Sequence, residues 1–116
     1  MPAYNFQKRW AWKVERRLKR QTIRAKRRMR PRVGQVAHCF AGMRTRRCRR
    51  LGSWRIRRVL DIRVWAGGVI LEGGVSIPRR QLDAFARRDG FAFWEDMLVW
   101  FEDTHGLPFR GDLIRW

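Results

Sequence analysis

Residues 16 to 32 read RRLKRQTIRAKRRMRPR, which is ten cationic side chains without one acid. A fold built on such a stretch must leave these groups in water or supply anions for them, because an unpaired buried charge is too costly. The imbalance extends well beyond this segment. Residues 1–60 hold 21 Lys and Arg against Glu15 alone, whereas residues 61–116 hold 7 basic and 9 acidic groups. The formal charge of +18 therefore sits almost wholly in the first half. Such a field repels itself in a compact chain and attracts polyanions. Nucleic acid, an anionic membrane surface and an acidic protein all fit that description. The preference for Arg, whose planar fork matches phosphate and base edges, favours nucleic acid.

The 116 residues suit a single domain, 1–116, and 45% apolar content allows a modest core. No run reaches the eighteen or so apolar residues needed to span a bilayer. Arginines also interrupt the first thirty residues before the apolar stretch of a secretory signal can develop. The Arg-rich, acid-poor start has something of an organelle transit peptide, but its regular apolar spacing argues for a folded element. Cys39 and Cys48 are too few for a disulfide scaffold, so the expected compartment is a reducing cytoplasm.

Phe6, Trp10, Val14 and Leu18 recur every four residues, which predicts a helix over about 6–18 with Asn5 as its N-cap. Glu15 lies four residues before Lys19, the favoured order for an ion pair. Gln21 to Ala25 reads as a short extended segment, and residues 26–34 as a charged loop ending at Pro31 and Gly34. Val36 to Phe40 is strand-like, and Arg44 to Arg50 form a second charged stretch. Trp54 to Trp65 reads as a strand whose alternation slips once, consistent with a bulge near Arg57-Arg58. Gly67-Gly68 predicts a hairpin turn into Val69-Ile70-Leu71. Ser76 can cap a helix with Pro78 in its first turn, ended by Asp89-Gly90. A further helix over about 93–104 would turn Trp94, Met97, Leu98 and Phe101 inward. Leu113 to Trp116 reads as a last strand with Trp116 in the core. The order predicts an α+β domain in which a small curled sheet closes against an N-terminal helix and two helices of the C-terminal half.

Lys19-x-x-Thr22-Ile23-Arg24 after a helix opening with Phe6-Gln7, then Pro31-x-x-Gly34, Asp89-Gly90-Phe91 and Trp94-Glu95-x-Met97, together resemble the ASCH family. The resemblance implies a compact PUA-like β-barrel, RNA binding and a small bacterial or phage-type member. Some relatives are amidohydrolases of N4-acetylcytidine, which implies a catalytic set of Lys19, Thr22 and Asp89. In that set Lys19 would take the proton of Thr22, while Asp89, one methylene shorter than the family's Glu, would orient the lysine. The alternatives are a non-catalytic RNA-binding component of a ribonucleoprotein and a weak ribonuclease. No cofactor is implied.

The candidate nucleic-acid contacts are Arg20, Arg24, Lys26, Arg27, Arg28, Arg30, Arg32, Arg44, Arg46, Arg47, Arg49 and Arg50, with Trp12 and Trp54 as possible stacking platforms. RNA, single-stranded or as a modified nucleoside, is the favoured partner, with DNA the alternative and a membrane not expected. Six to ten phosphate contacts would cost roughly 10³–10⁵-fold in affinity between 50 and 200 mM salt. His38, Cys39 and Cys48 lack paired metal-ligand spacing and read as a buried imidazole and two ordinary thiols. His105 reads as satisfying a helix-end carbonyl.

Overall fold

The computed structural model describes residues 2–116. In chain order the elements are β1 (Ala3–Phe6), α1 (Lys8–Glu15), β2 (Gln21–Ala25), β3 (Val36–Ala41), β4 (Arg49–Arg55) and β5 (Arg58–Trp65). They continue with β6 (Gly68–Leu71), β7 (Val75–Ser76), α2 (Leu82–Arg88), α3 (Trp94–His105) and β8 (Phe109–Arg115). The strands form two sheets, a three-stranded one in the order β1-β3-β4 and a five-stranded one in the order β2-β8-β5-β6-β7.

Alternation along β8 and β5 explains the layering. Leu113, Ile62 and Val64 point to one side of the five-stranded sheet and join Phe85, Met97 and Phe101 of α2 and α3. Ile114 and Val59 point to the other side and pack with Tyr4, Phe6, Ala37, Cys39 and Leu51 of the three-stranded sheet. Helix α1 straddles the two clusters, giving Trp10 to the first and Ala11 and Val14 to the second.

The α+β class, the first helix and the two late helices are present, but the PUA-like barrel is not: neither sheet closes. A barrel would pair the edge strands of the two sheets, and β1 and β2, both edges, share no ladder. Instead the two strands are joined by side chains, with Arg24 Nη2 donating to the Asn5 carbonyl at 2.7 Å and Arg27 Nη2 to the Ala3 carbonyl at 2.9 Å. Those guanidinium groups occupy carbonyls that a barrel would give to a neighbouring backbone.

Several local expectations also change. Phe6 lies in a strand parallel to β3, in register Phe6↔Ala41, and the helix begins two residues later. Asn5 caps no helix; its side-chain oxygen accepts from the Met43 backbone N–H at 3.0 Å. Leu18 is exposed instead of continuing the apolar stripe, because the chain has already left the helix. Glu15 pairs with Arg49, not with Lys19. The slip near Arg57-Arg58 is a crossing between sheets, from β4 ending at Arg55 to β5 beginning at Arg58. A register shift occurs instead between Cys39 and Phe40, opposite Leu51. Ser76 ends β7, and α2 starts at Leu82 after a 3-10 turn over Arg79–Gln81. The α3 N-terminus, where Phe93 offers no side-chain cap, is closed by Asp83 Oδ1 accepting from the Trp94 N–H at 2.9 Å. The predicted strand at Gln21–Ala25, the Gly67-Gly68 hairpin and the burial of Trp116 are all present. No helix among the described residues is long and apolar enough to cross a membrane.

Candidate functional site

Helix α1 ends in a left-handed turn that places Lys19. The Arg17 N–H donates to the Val14 carbonyl and the Leu18 N–H to the Lys13 carbonyl, and Arg17 takes φ 62° between them. This is the Schellman arrangement, with Arg where glycine is usual. The turn throws Lys19 back beneath the helix. Its Nζ donates to the Asp89 carbonyl at 2.5 Å and lies 3.2 Å from Asp89 Oδ1. Lys13 Nζ similarly donates to the Gly90 carbonyl at 3.0 Å. Two ammonium groups thus meet carbonyls at the C-terminal end of α2, where the helix dipole favours cations. Gly90 is required on two counts. Its φ is +102°, and a Cβ would lie 2.7 Å from Trp10 Cδ1 and 3.3 Å from Lys19 Cδ.

Asp89 and Lys19 are both buried, and Gln21 Nε2 donates to the same Asp89 Oδ1 at 3.3 Å. Burial pushes the Lys19 ammonium below its ordinary pKa and the Asp89 carboxyl above its own, although each partner pulls the other back. Burial favours the neutral form of each group, and the attraction between them favours the charged forms. The Lys19 ammonium also lies 5.8 Å from the ring centroids of both Phe6 and Trp10.

A cavity of 290 Å³ opens beside this pair. Lys19, Thr22, Arg24 and Asp89 all line it, with aromatic walls from Phe6, Trp10, Phe91 and Trp100. Thr22 is not hydrogen-bonded to Lys19. Its Oγ1 accepts from Arg24 Nε at 2.8 Å, and the Arg24 guanidinium is held over Tyr4 and Phe6 at 5.4 and 5.0 Å. Lys19 is committed to Asp89 and Thr22 to Arg24, so two separate polar pairs line one recess. Gln21, Trp100 and His105 line or brace the site without having been singled out in that role. His105 could have been placed through its i, i+4 spacing from Phe101, whereas nothing local marks Gln21. His105 stacks among Trp100, Phe101 and Phe109, and burial together with Arg24 holds its pKa below the usual value.

The basic residues divide into two groups. Asp112 is a buried carboxylate, and Lys26 Nζ and Arg30 Nε donate to it at 2.6 and 3.1 Å, with Asp61 also in contact with both cations. Arg20 donates to the Arg17 carbonyl, Arg24 and Arg27 close the β1 edge, Arg49 meets Glu15, and Arg50 donates to Ser53. Arg28, Arg32, Arg44, Arg46 and Arg47 are exposed, and their guanidinium groups make neither an ion pair nor a hydrogen bond among the described residues. Of the 21 cations in residues 1–60, only Lys19, Lys26, Arg30 and Arg49 have acidic partners among the described residues. Trp12 is largely open, with Lys13 and Arg16 each 5.6 Å from its ring. Trp54 is stacked on Trp116 at 6.3 Å, with Arg17 over its ring at 5.1 Å. His38 Nδ1 contacts Ser53 Oγ at 2.8 Å, and no cluster of metal-ligating side chains occurs among the described residues.

Comparison with protein-family models, with curated proteins and with solved structures finds no match to this chain. Together with the two open sheets, this overturns the resemblance to the ASCH family. The amidohydrolase assignment rested on that resemblance and lapses with it.

Proposed function

We propose that the chain is an RNA-binding module that holds phosphates through the arginines flanking its three-stranded sheet. The observation that carries this reading is the set of exposed arginines left without any anion inside the fold. Arg28 and Arg32 precede β3 at one end of the sheet, and Arg44, Arg46 and Arg47 lie in the β3–β4 connection at the other. A surface evolved for solubility mixes both signs, whereas this one has no acid from Arg16 to Leu60. The reading is of binding without turnover, consistent with Lys19 and Thr22 being engaged elsewhere and not with each other. The module would act in the cytoplasm, where its two free thiols stay reduced.

The aromatic walls and polar floor of the cavity support a second, compatible role. A planar, hydrogen-bonding guest such as a nucleobase could lie between the rings and reach Asp89, Thr22 or Arg24. Because Trp10 and Trp100 line the recess, a nucleoside that enters should change tryptophan fluorescence.

The main test is fluorescence anisotropy of a labelled RNA oligonucleotide across a salt series. Six phosphate contacts to a single strand give a log–log slope near −4, or a loss of about 300-fold between 50 and 200 mM salt. Absence of binding at 50 mM salt, or affinity independent of salt, would refute the proposal.

A further inference from the structure

The five-stranded sheet is covered on both faces, but the three-stranded sheet is covered on one. Register fixes which side chains are left outside. Tyr4, Phe6, Ala37, Cys39 and Leu51 point into the core, so Asn5, His38, Phe40, Arg50, Ser53 and Arg55 lie on the opposite face. Phe40 belongs to neither hydrophobic cluster and has no aromatic partner among the described residues, yet it sits in the middle of β3. Arg50 stands directly across from it in β4. Beside them, Ser53 Oγ receives Arg50 Nη2 at 2.6 Å and contacts His38 Nδ1 at 2.8 Å, which fixes the guanidinium and the imidazole on this face. None of the three strands contains an acid.

We propose that this outward face is a platform for single-stranded nucleic acid, with a base stacked on Phe40 beside Arg50 and its flanking phosphates on the arginines at the two sheet ends. The inference rests on the RNA-binding reading and narrows it to a surface and a strand state. A six-residue strand spans roughly 20 Å between the two basic loops, so one strand of nucleic acid can touch both. A half-buried ring on the outward face of a sheet presents the part of its π-face that an unpaired base can cover. A duplex keeps its bases stacked internally and gains nothing from such a ring. Charge without the ring would suit any polyanion; an aromatic set among arginines selects one that carries exposed planar groups. An acidic protein or a vesicle of anionic lipid would use the charge and ignore the ring.

The test compares a fluorescein-labelled single-stranded RNA 12-mer with the duplex of the same sequence, using the whole chain, Phe40→Ala and Phe40→Leu. Circular dichroism confirms that each variant is folded. Loss of one stacked base corresponds to about a 5- to 150-fold weakening for the single strand in both variants, with duplex affinity unchanged. The leucine variant matters because it retains bulk without a π-face. Equal loss for single strand and duplex, retention of affinity by Phe40→Leu alone, or equal competition by poly-glutamate or by anionic vesicles would overturn the platform. If salt-dependent RNA binding persists while both Phe40 variants bind like the parent, the platform falls and the RNA-binding reading stands. If the parent binds no RNA, both fall together.

Discussion

The two sheets of this protein treat charge in opposite ways. Around the five-stranded sheet the buried carboxylates are answered: Asp112 by Lys26 and Arg30, Asp89 by Lys19 and Gln21. Around the three-stranded sheet the cations outnumber any possible partner and stay in water. The exposed acids complete the contrast, because Glu95, Asp96, Glu102 and Asp103 all lie on α3, which covers the outer side of the five-stranded sheet. One side of the molecule uses charge to hold itself together, and the other keeps charge available. Substituting a polar residue should therefore cost stability in the first region and binding in the second.

Asp89→Ala is the strongest way to expose that difference. Removing one member of a buried pair strands the other, at an expected cost of about 3–5 kcal/mol in urea unfolding at pH 7. The joint replacement Lys19→Met with Asp89→Leu should recover most of the loss. The pH dependence of the single variant has a definite sign. Burial lowers the folded-state pKa of Lys19 below the unfolded value near 10.5, so the unfolded chain binds the additional proton. Stability of Asp89→Ala should accordingly rise with pH as it approaches that unfolded value, and level off above it. A cost under 1 kcal/mol would mean that the pair is not the anchor described.

A smaller effect separates the two cysteines. Burial pushes the Cys39 thiol from 9.0 up to about 12, while Cys48 is exposed. A raised acid pKa contributes stability that is complete below the unfolded value of 9.0 and is lost as pH climbs towards the folded one. By pH 10 the unfolded thiol is about nine-tenths ionised, so the parent should lose about 1.4 kcal/mol relative to Cys39→Ala over pH 8 to 10. Ellman's reagent should titrate one thiol in the native protein and two in guanidinium; two fast native thiols would contradict the burial of Cys39.

At the junction between the regions, Arg17 holds a left-handed conformation that glycine adopts freely. Arg17→Gly should be more stable than Arg17→Ala by about 1 kcal/mol in thermal melts, a comparison that cancels the lost side chain. The smallest expected change in stability comes from the open sheet. Arg46→Ala and Arg47→Ala should each alter it by less than about 0.5 kcal/mol. Each should nonetheless flatten the salt slope of RNA binding by about 0.7. A large stability loss from either would show that these arginines serve the fold.

Short-range features were the legible ones. Val and Ile alternation around Gly67-Gly68 defines the hairpin without outside help, and Gln21 to Ala25 is a strand in its own right. The stripe from Phe6 to Leu18 misled at both ends for reasons that lie far away in the chain. Phe6 is taken by β3, some 35 residues later in sequence, and Leu18 is expelled by a turn closed at a non-glycine residue. The lysine–aspartate pair spans 70 residues, so the sequence supplies its members but not their contact. Short motifs matched a family pattern while the way the sheets meet, through one apolar cluster and two arginine side chains, had no sequence signature.

Those same two side chains have a consequence for how the protein behaves in concentrated solution. The first strand is the unpaired border of a small sheet, the kind of border along which copies of a chain join into fibrils. Arg24 and Arg27 fill its outward carbonyls and surround it with like charge, so a second molecule arriving there finds acceptors already taken and a repulsive field. Neutral substitution of both residues should favour assembly edge to edge, read as light scattering that grows with protein concentration.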